Sequence, residues 1–248
     1  MSTVRVCHLY PNELNIYADR GNIAVLRRRL EWRGHALAVI EAGIGDAIPE
    51  DADMYYLGGG QDRDQIIVAG DLAATKADVL HRAAAGGSVV LAVCGGYQLA
   101  GHGYTGVDGT RMPGIGLLDA DTVAGVTRLI GDVVISVDVG GTPLTVVGFE
   151  NHAGRTSVGP NSQPFGTVVF GHGNNDIDRT EGAISGRVIG TYLHGPLLPK
   201  NPQLADLLLG WALEHATGGP VVLEPLADEL EMRAHRAAIA GVSERRWA

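Results

Sequence analysis

The sequence predicts an α/β fold: a mostly parallel central sheet with helices on both faces, extended in its second half by antiparallel β segments. Strands alternate with amphipathic helices as far as residue 93. Ser88 to Val93, SVVLAV, is the near-continuous apolar run expected of a strand buried on both faces. Beyond about residue 103 the texture changes to Gly-rich β segments with few helical stretches between them.

Each element has its own signal. Val4 to Leu9 is apolar and β-prone and runs into the polar loop PNELNIYADRGN. Residues 22 to 33 place Ile23, Leu26 and Leu30 at helical spacing, covered by Arg27, Arg28, Arg29 and Arg33 and stopped by Gly34. That arginine face reads as a solvated surface, with partner docking as the sharper alternative. His35 to Ile40 supplies a second strand, and Met54 to Leu57 a third that enters Gly58, Gly59 and Gly60. A helix follows in which Leu72, Ala73, Val79, Leu80, Ala83 and Ala84 share a face, ended by Gly86 and Gly87. The later β segments are expected at about 115 to 118, 131 to 137, 143 to 149, 167 to 170 and 187 to 193. Asn201 and Pro202 form an N-cap and first-turn pair for a helix carrying Leu204, Leu207, Leu208, Trp211 and Ala212, closed by Gly218 and Gly219. A last helix over 226 to 240 has Asp228, Glu229 and Glu231 early and Arg233, His235 and Arg236 late, matching the helix dipole. One domain over 1–248 is the economical reading, with a helical extension from about 220.

Composition narrows the function. The chain has 248 residues, with 19 Lys and Arg against 28 Asp and Glu, for a net charge of −9. That balance argues against a generic nucleic-acid binder, which neutralises phosphates with basic excess. Apolar residues make up 45% and charged ones 19%, as in a soluble globular protein. The opening MSTVRVCHLYPNELN lacks the pattern of a secretory signal, and no run is long enough for a membrane span, so a cytoplasmic location is expected. In such a reducing compartment Cys7 and Cys94 are read singly.

Cys94 carries the strongest chemical signal. LAVCGGYQLAG at 91–101 runs apolar strand, cysteine, two glycines, helix, the thiol counterpart of the nucleophile elbow. Cys94 is expected to stand exposed there, with its thiolate favoured by the following helix and the Gly95 N–H aimed at a developing oxyanion. A buried structural cysteine before a glycine turn is the competing reading, and the two glycines weigh against it. Cys7, inside the first strand, reads as a small core residue. A thiol needs a base. His194, at the end of an apolar strand in VIGTYLHGPLLPKNP, and His152, in GFENHAGRT, are the rivals; Asn151 and the glycine around His152 also suit a loop that binds a polar ligand. The Gly58–Gly60 run is poor as a phosphate loop, lacking GxGxxG or GKS/GKT, and better as an oxyanion-hole loop.

Taken together, YPNELNIYADRGN, GGGQDRDQ, AVCGGYQLAG, GFENHAGRT and GTYLHGPLLPKNP resemble the class I, triad-type glutamine amidotransferases in the branch related to cobyric acid synthase. The resemblance runs from residue 10 to 202. It implies a flavodoxin-like fold, Cys94 as the nucleophile on the side-chain amide of glutamine, and His194 as base and then acid. It also implies oxyanion amides from Gly59 and Gly95, substrate contacts from Gln98, and an Arg128 guanidinium clamping the α-carboxylate. One departure stands out: Pro196 occupies the position, two after the histidine, where this class usually has a glutamate. The resemblance leaves the orienting acid to Asp19, Glu150 or a partner.

The chain has no ATP signature, so no cofactor is expected in it. The members it most resembles imply a heterodimer with a Mur-ligase-like subunit that uses ATP and Mg²⁺, accepts the ammonia and amidates the D-glutamate of a lipid-linked cell-wall precursor. Membrane insertion and nucleic-acid binding are not expected. Amidation of another acceptor, of the cobyric acid type, and a cysteine hydrolase built on the same elbow are the alternatives.

Overall fold

The computed structural model describes residues 1–16 and 20–245. Two six-stranded sheets share one hydrophobic core. The first is built from β1 (Thr3–Leu9), β2 (Ala36–Ala42), β3 (Met54–Leu57), β4 (Val89–Val93), β11 (Ala183–Ser185) and β12 (Val188–Thr191), in the order β11-β12-β4-β3-β1-β2. Every pairing in it is parallel except β11 with β12. The expected mostly parallel sheet is therefore present, and its 2-1-3-4 strand order is that of flavodoxin-like folds. β3 and β4 are buried at every residue, so their apolar runs face packing on both sides.

Helices α1 (Arg20–Glu31), between β1 and β2, and α2–α3 (Asp62–Asp71 and Ala77–Ala85), between β3 and β4, connect strands in opposite directions along the sheet. With right-handed crossovers they lie on opposite faces. α5 (Pro202–Thr217) packs beside α1. The arginine face of α1 is only half solvated. Arg29 is buried, bonded to both oxygens of Asp206 at 2.7 Å and to Asp228 at 2.7 and 2.8 Å, while Arg33 holds Asp206 at 3.0 and 2.7 Å. These pairs tie α1 to α5 and to the start of α6 (Glu229–Arg245).

The second sheet holds most of the antiparallel additions. β7 (Ala120–Val139) and β8 (Thr142–Val158) form one long hairpin, flanked by β9 (Gly166–Phe170), β10 (Thr180–Glu181) and the short β5 (Gly103–Thr105) and β6 (Arg111–Pro113). Val133, Ile135 and Val146 from this hairpin sit in the same cluster as Leu91 and Val93 of β4. Between Ala124 and Leu129 the hairpin register shifts, ejecting a short bulge that contains Arg128.

Three sequence expectations are corrected. Residues 115–118 form no strand; Ile115 and Leu118 donate their N–H groups to Leu99 and Ala100, the last turn of α4 (Gly95–Ala100), so that backbone is satisfied by the helix end. The helix through Leu72–Ala84 starts earlier and is interrupted by a π turn over Leu72–Lys76. That wider turn resets the helical phase, so Leu72, Leu80 and Ala83 are buried while Ala73 is exposed and Lys76 is wholly enclosed against Asp71. Asn201 precedes α5 but makes no side-chain cap; its amide accepts from Val147 N at 2.8 Å and donates to Val147 O and Leu197 O at 2.7 Å, docking α5 on β8. No helix among the described residues is long and apolar enough to cross a membrane.

Candidate active site

The carboxyl ends of β3, β4 and β12 meet at one edge of the parallel sheet, where open α/β sheets bind ligands. Cys94 terminates β4 with φ 52° and ψ −107°, a conformation that L-residues avoid and that costs roughly 1–3 kcal/mol unless the surroundings enforce it. They do. The Cys94 N–H donates to Thr191 O at 2.8 Å, its carbonyl accepts from Gln98 N at 3.2 Å, and Gly96 N donates to Gly58 O at 3.1 Å. A Cβ at Gly96 would lie 2.7 Å from Leu57 O and 2.9 Å from Gly58 O, so only glycine lets α4 start this close to β3.

The thiol is more enclosed than expected, 7% exposed, because the β7–β8 hairpin folds over the sheet edge. It lies on the wall of a cavity of about 330 Å³ with Gln98, Arg128, Asn151 and His152. Cys7, by contrast, is fully buried in β1, and that burial pushes its thiol up to about 12. Neither cysteine is in a disulfide.

Arg128 reaches the cavity from the bulge. Its Nε donates to Asn151 Oδ1 at 2.7 Å and its Nη2 to Asn151 O at 2.6 Å. Asn151 thus occupies the side edge of the guanidinium and leaves the Nη1/Nη2 end for a carboxylate. Gln98 is 6% exposed and donates from Nε2 to the Tyr192 hydroxyl at 3.3 Å.

The two histidines differ in what holds them. His152 stacks on Tyr192 with ring centroids 3.6 Å apart and planes 4° from parallel. Its Nδ1 donates to Gly154 O at 2.9 Å and its Nε2 faces Glu150 Oε2 at 3.5 Å. Its Nδ1 is thus committed to a backbone carbonyl, and His152 forms part of the cavity wall. Glu150, wholly buried, accepts from the N–H groups of His172 at 2.7 Å and Gly173 at 2.9 Å, and so pins the turn after β9 as well as facing His152. His194 is buried just past β12, held to Phe149 by reciprocal backbone bonds of 3.0 and 3.2 Å. Burial, reinforced by the nearby charges of His152, Arg128 and Lys200, lowers its imidazole to about 4, so it is neutral at physiological pH, the state a base requires. Because β12 pairs with β4 and Thr191 binds Cys94 N, the histidine and the cysteine leave adjacent strand ends.

Gly95 opens α4 against the Gly58–Gly60 loop. Gly59 is buried and its carbonyl accepts from Ile16 N at 3.1 Å; Gly60 is the loop residue on the cavity wall. Cys94, Gln98, Arg128, Asn151 and His152 therefore share the cavity wall, whereas Gly59, Gly95 and His194 do not line it. Asp19 lies outside the described residues. Sequence reading missed three residues. Tyr192 carries the stack and the Gln98 contact, and stands two positions before His194 in TYLHG. Gln65 lies on the wall and follows the triple glycine in GGGQDRDQ, where its polar amide within an otherwise surface-like turn gave no burial signal. Glu181, wholly buried, accepts from Tyr192 N at 2.7 Å and Thr191 Oγ1 at 3.0 Å, and burial pushes its carboxyl up to about 8.

The CobB/CobQ-like glutamine amidotransferase domain matches residues 5–202. The chain belongs to that family and is an enzyme acting on glutamine. It is 40% identical over 243 residues to the lipid II isoglutaminyl synthase subunit GatD of Staphylococcus aureus, covering 96% of each chain. It is 38% identical to the GatD subunit of Streptococcus pneumoniae, covering 92% of this chain and 87% of that one. Among solved structures, PurLQS from Thermotoga maritima superposes with a TM-score of 0.57 at 17% identity, over 88% of this chain and 99% of that one, a likeness of fold.

Proposed function

We propose that the chain is the glutaminase subunit of a lipid II isoglutaminyl synthase. Cys94 cedes its thiol proton to His194 and its sulfur bonds the side-chain carboxamide carbon of L-glutamine. The carbonyl electron pair moves onto oxygen, which the Gly95 N–H and the Gly59–Gly60 loop stabilise. The imidazolium returns the proton to nitrogen, the C–N bond breaks and ammonia leaves a γ-glutamyl thioester. Water then attacks, giving its proton to His194; the C–S bond breaks, sulfur recovers the proton and glutamate departs. Such proton transfer is typically worth about 10²- to 10⁴-fold. Arg128 and Gln98 hold the amino-acid end of the substrate.

The observation that carries this reading is the left-handed elbow at Cys94 opening onto a cavity that also presents Gln98, Arg128 and Asn151. The names of the two relatives support lipid II as the acceptor and a second subunit; in this reading ammonia passes to a MurT-like ligase subunit, which uses its own ATP and Mg²⁺ to activate the D-glutamate α-carboxyl of the lipid II stem peptide. A shielded path keeps ammonia unprotonated between the subunits. The partner also supplies or aligns the acid that Pro196 displaces, which makes the isolated chain a weak glutaminase.

The test measures ammonia release from L-glutamine by the wild type, Cys94→Ala and His194→Ala, each with and without the co-expressed ligase. Activity confined to the wild type and raised by the ligase is the expected result. Full activity in Cys94→Ala, or equal rates with and without the ligase, contradicts the proposal.

A further inference from the structure

We infer that Gln65 is a specificity residue of this site: its Oε1 accepts a hydrogen bond from the N–H of the scissile carboxamide and so distinguishes glutamine from substrates without that hydrogen. The inference rests on the glutaminase reading and deepens it.

Gln65 lies in the first turn of α2, directly after the glycine loop, and is 3% exposed on the wall of the cavity that holds Cys94. Its Nε2 donates to Gly60 O at 2.9 Å. A carbonyl only accepts, so this bond fixes which end of the amide is which. The other end, Oε1, is buried and has no hydrogen-bond partner among the described residues. The amide is wedged between the loop and the elbow: a Cβ on Gly95 would come within 2.6 Å of Gln65 Nε2, 2.8 Å of its Cδ and 3.1 Å of Gly60 N. A buried acceptor without a partner is rare in a folded protein, and one on a side chain that lines the same cavity as a nucleophile points to a donor that arrives with the ligand.

The chemistry of the substrate supplies that donor. A primary carboxamide carries one acceptor and two N–H donors. The oxyanion-hole amides take the acceptor, which leaves the nitrogen needing acceptors of its own. Gln65 Oε1 fills that need, orienting the nitrogen as the C–N bond breaks. After hydrolysis a carboxylate oxygen replaces the nitrogen, and oxygen facing oxygen favours product departure. An unmatched polar group discriminates against the wrong ligand more strongly than shape alone.

The experiment compares kcat/KM for L-glutamine and for L-glutamate γ-methyl ester, which forms the same thioester but has no N–H on its leaving group. The wild type, Gln65→Met and Gln65→Leu are assayed as full chains co-expressed with the ligase. We expect both variants to lose roughly tenfold to a hundredfold on the amide while staying within about threefold of the wild type on the ester. Retained ester hydrolysis reports that the variants fold and that the Gly60 loop still works. An amide-to-ester ratio that matches the wild type, whether both activities persist or both fall, overturns the inference and leaves the glutaminase reading intact. A wild type that hydrolyses neither compound overturns the glutaminase reading and this inference with it.

Discussion

Replacing Gly96 by alanine adds one methyl group where the elbow abuts the backbone of β3. Its new carbon would lie 2.7 Å from Leu57 O, 2.9 Å from Gly58 O and 2.9 Å from Leu57 Cβ. Two of those atoms are backbone carbonyls at the end of a fully buried strand, and they have no rotamer to change. Restoring ordinary contact requires α4 or the β3 terminus to move by about 0.5–0.7 Å, comparable to the misplacements that cost about 100-fold in a positioned active site. The overpacking itself costs about 1–3 kcal/mol. Glutaminase kinetics and urea unfolding on the same preparation measure both effects. We expect kcat to fall by about two orders of magnitude while the protein still unfolds cooperatively. Gly95→Ala meets the side-chain amide of Gln65 first, rather than backbone carbonyls, and its stability loss should be smaller. A Gly96→Ala enzyme with wild-type kcat and midpoint would refute the claim that this contact sets the elbow.

Three further outcomes follow from the same geometry. His8 and His194 are both buried, and burial lowers each to about 4 from an ordinary 6.5. The unfolded chain therefore takes up protons that the folded chain refuses as pH falls from 6.5 to 4, and stability drops across that window by up to about 3 kcal/mol per histidine. Measured in a Glu181→Gln background, which removes an ionisation of opposite slope, urea midpoints from pH 7 to 4 should show that loss, and adding His8→Leu should roughly halve its slope; an unchanged slope contradicts the assignment. Glu181 shifts the other way: its carboxyl is raised to about 8, so stability declines as pH climbs from 4.5 to 8. Glu181→Gln removes that ionisation and should raise the urea midpoint most above pH 8, whereas an equal shift at pH 5 and 9 would argue against it. Arg128→Lys keeps the charge but gives up the fork that binds Asn151 and offers its free edge to a carboxylate. We expect KM for glutamine to rise roughly tenfold or more with kcat nearly intact, and an unaltered KM would count against that role.

Much of this site was legible because its signals are local. SVVLAV followed by Cys-Gly-Gly needs only strand burial and glycine's small size to announce an elbow, and Met54–Leu57 running into three glycines announces a second strand end. The different settings of the two histidines were not legible: His152 and His194 both follow apolar strands, and only the folded chain engages His152 with Gly154, Glu150 and the Tyr192 ring. The Arg128 bulge and the length of the β7–β8 hairpin were hidden because strand register across two strands of 20 and 17 residues leaves little periodic trace once glycines interrupt it. Lys76 shows the same limit in a helix. A π turn has no period of its own, so a buried lysine there cannot be anticipated from spacing. The arginines of α1 looked like one charged face until α5 and the start of α6 brought Asp206 and Asp228 to two of them.

The central claim is that Cys94 is the nucleophile that attacks the side-chain carboxamide carbon of glutamine. Its most direct test is treatment with 6-diazo-5-oxo-L-norleucine, a diazoketone analogue of glutamine, followed by peptide mapping. The account predicts one adduct, on the peptide carrying Cys94, with glutamine protecting against it and Cys7 unmodified. No adduct, or one on Cys7 alone, would contradict it.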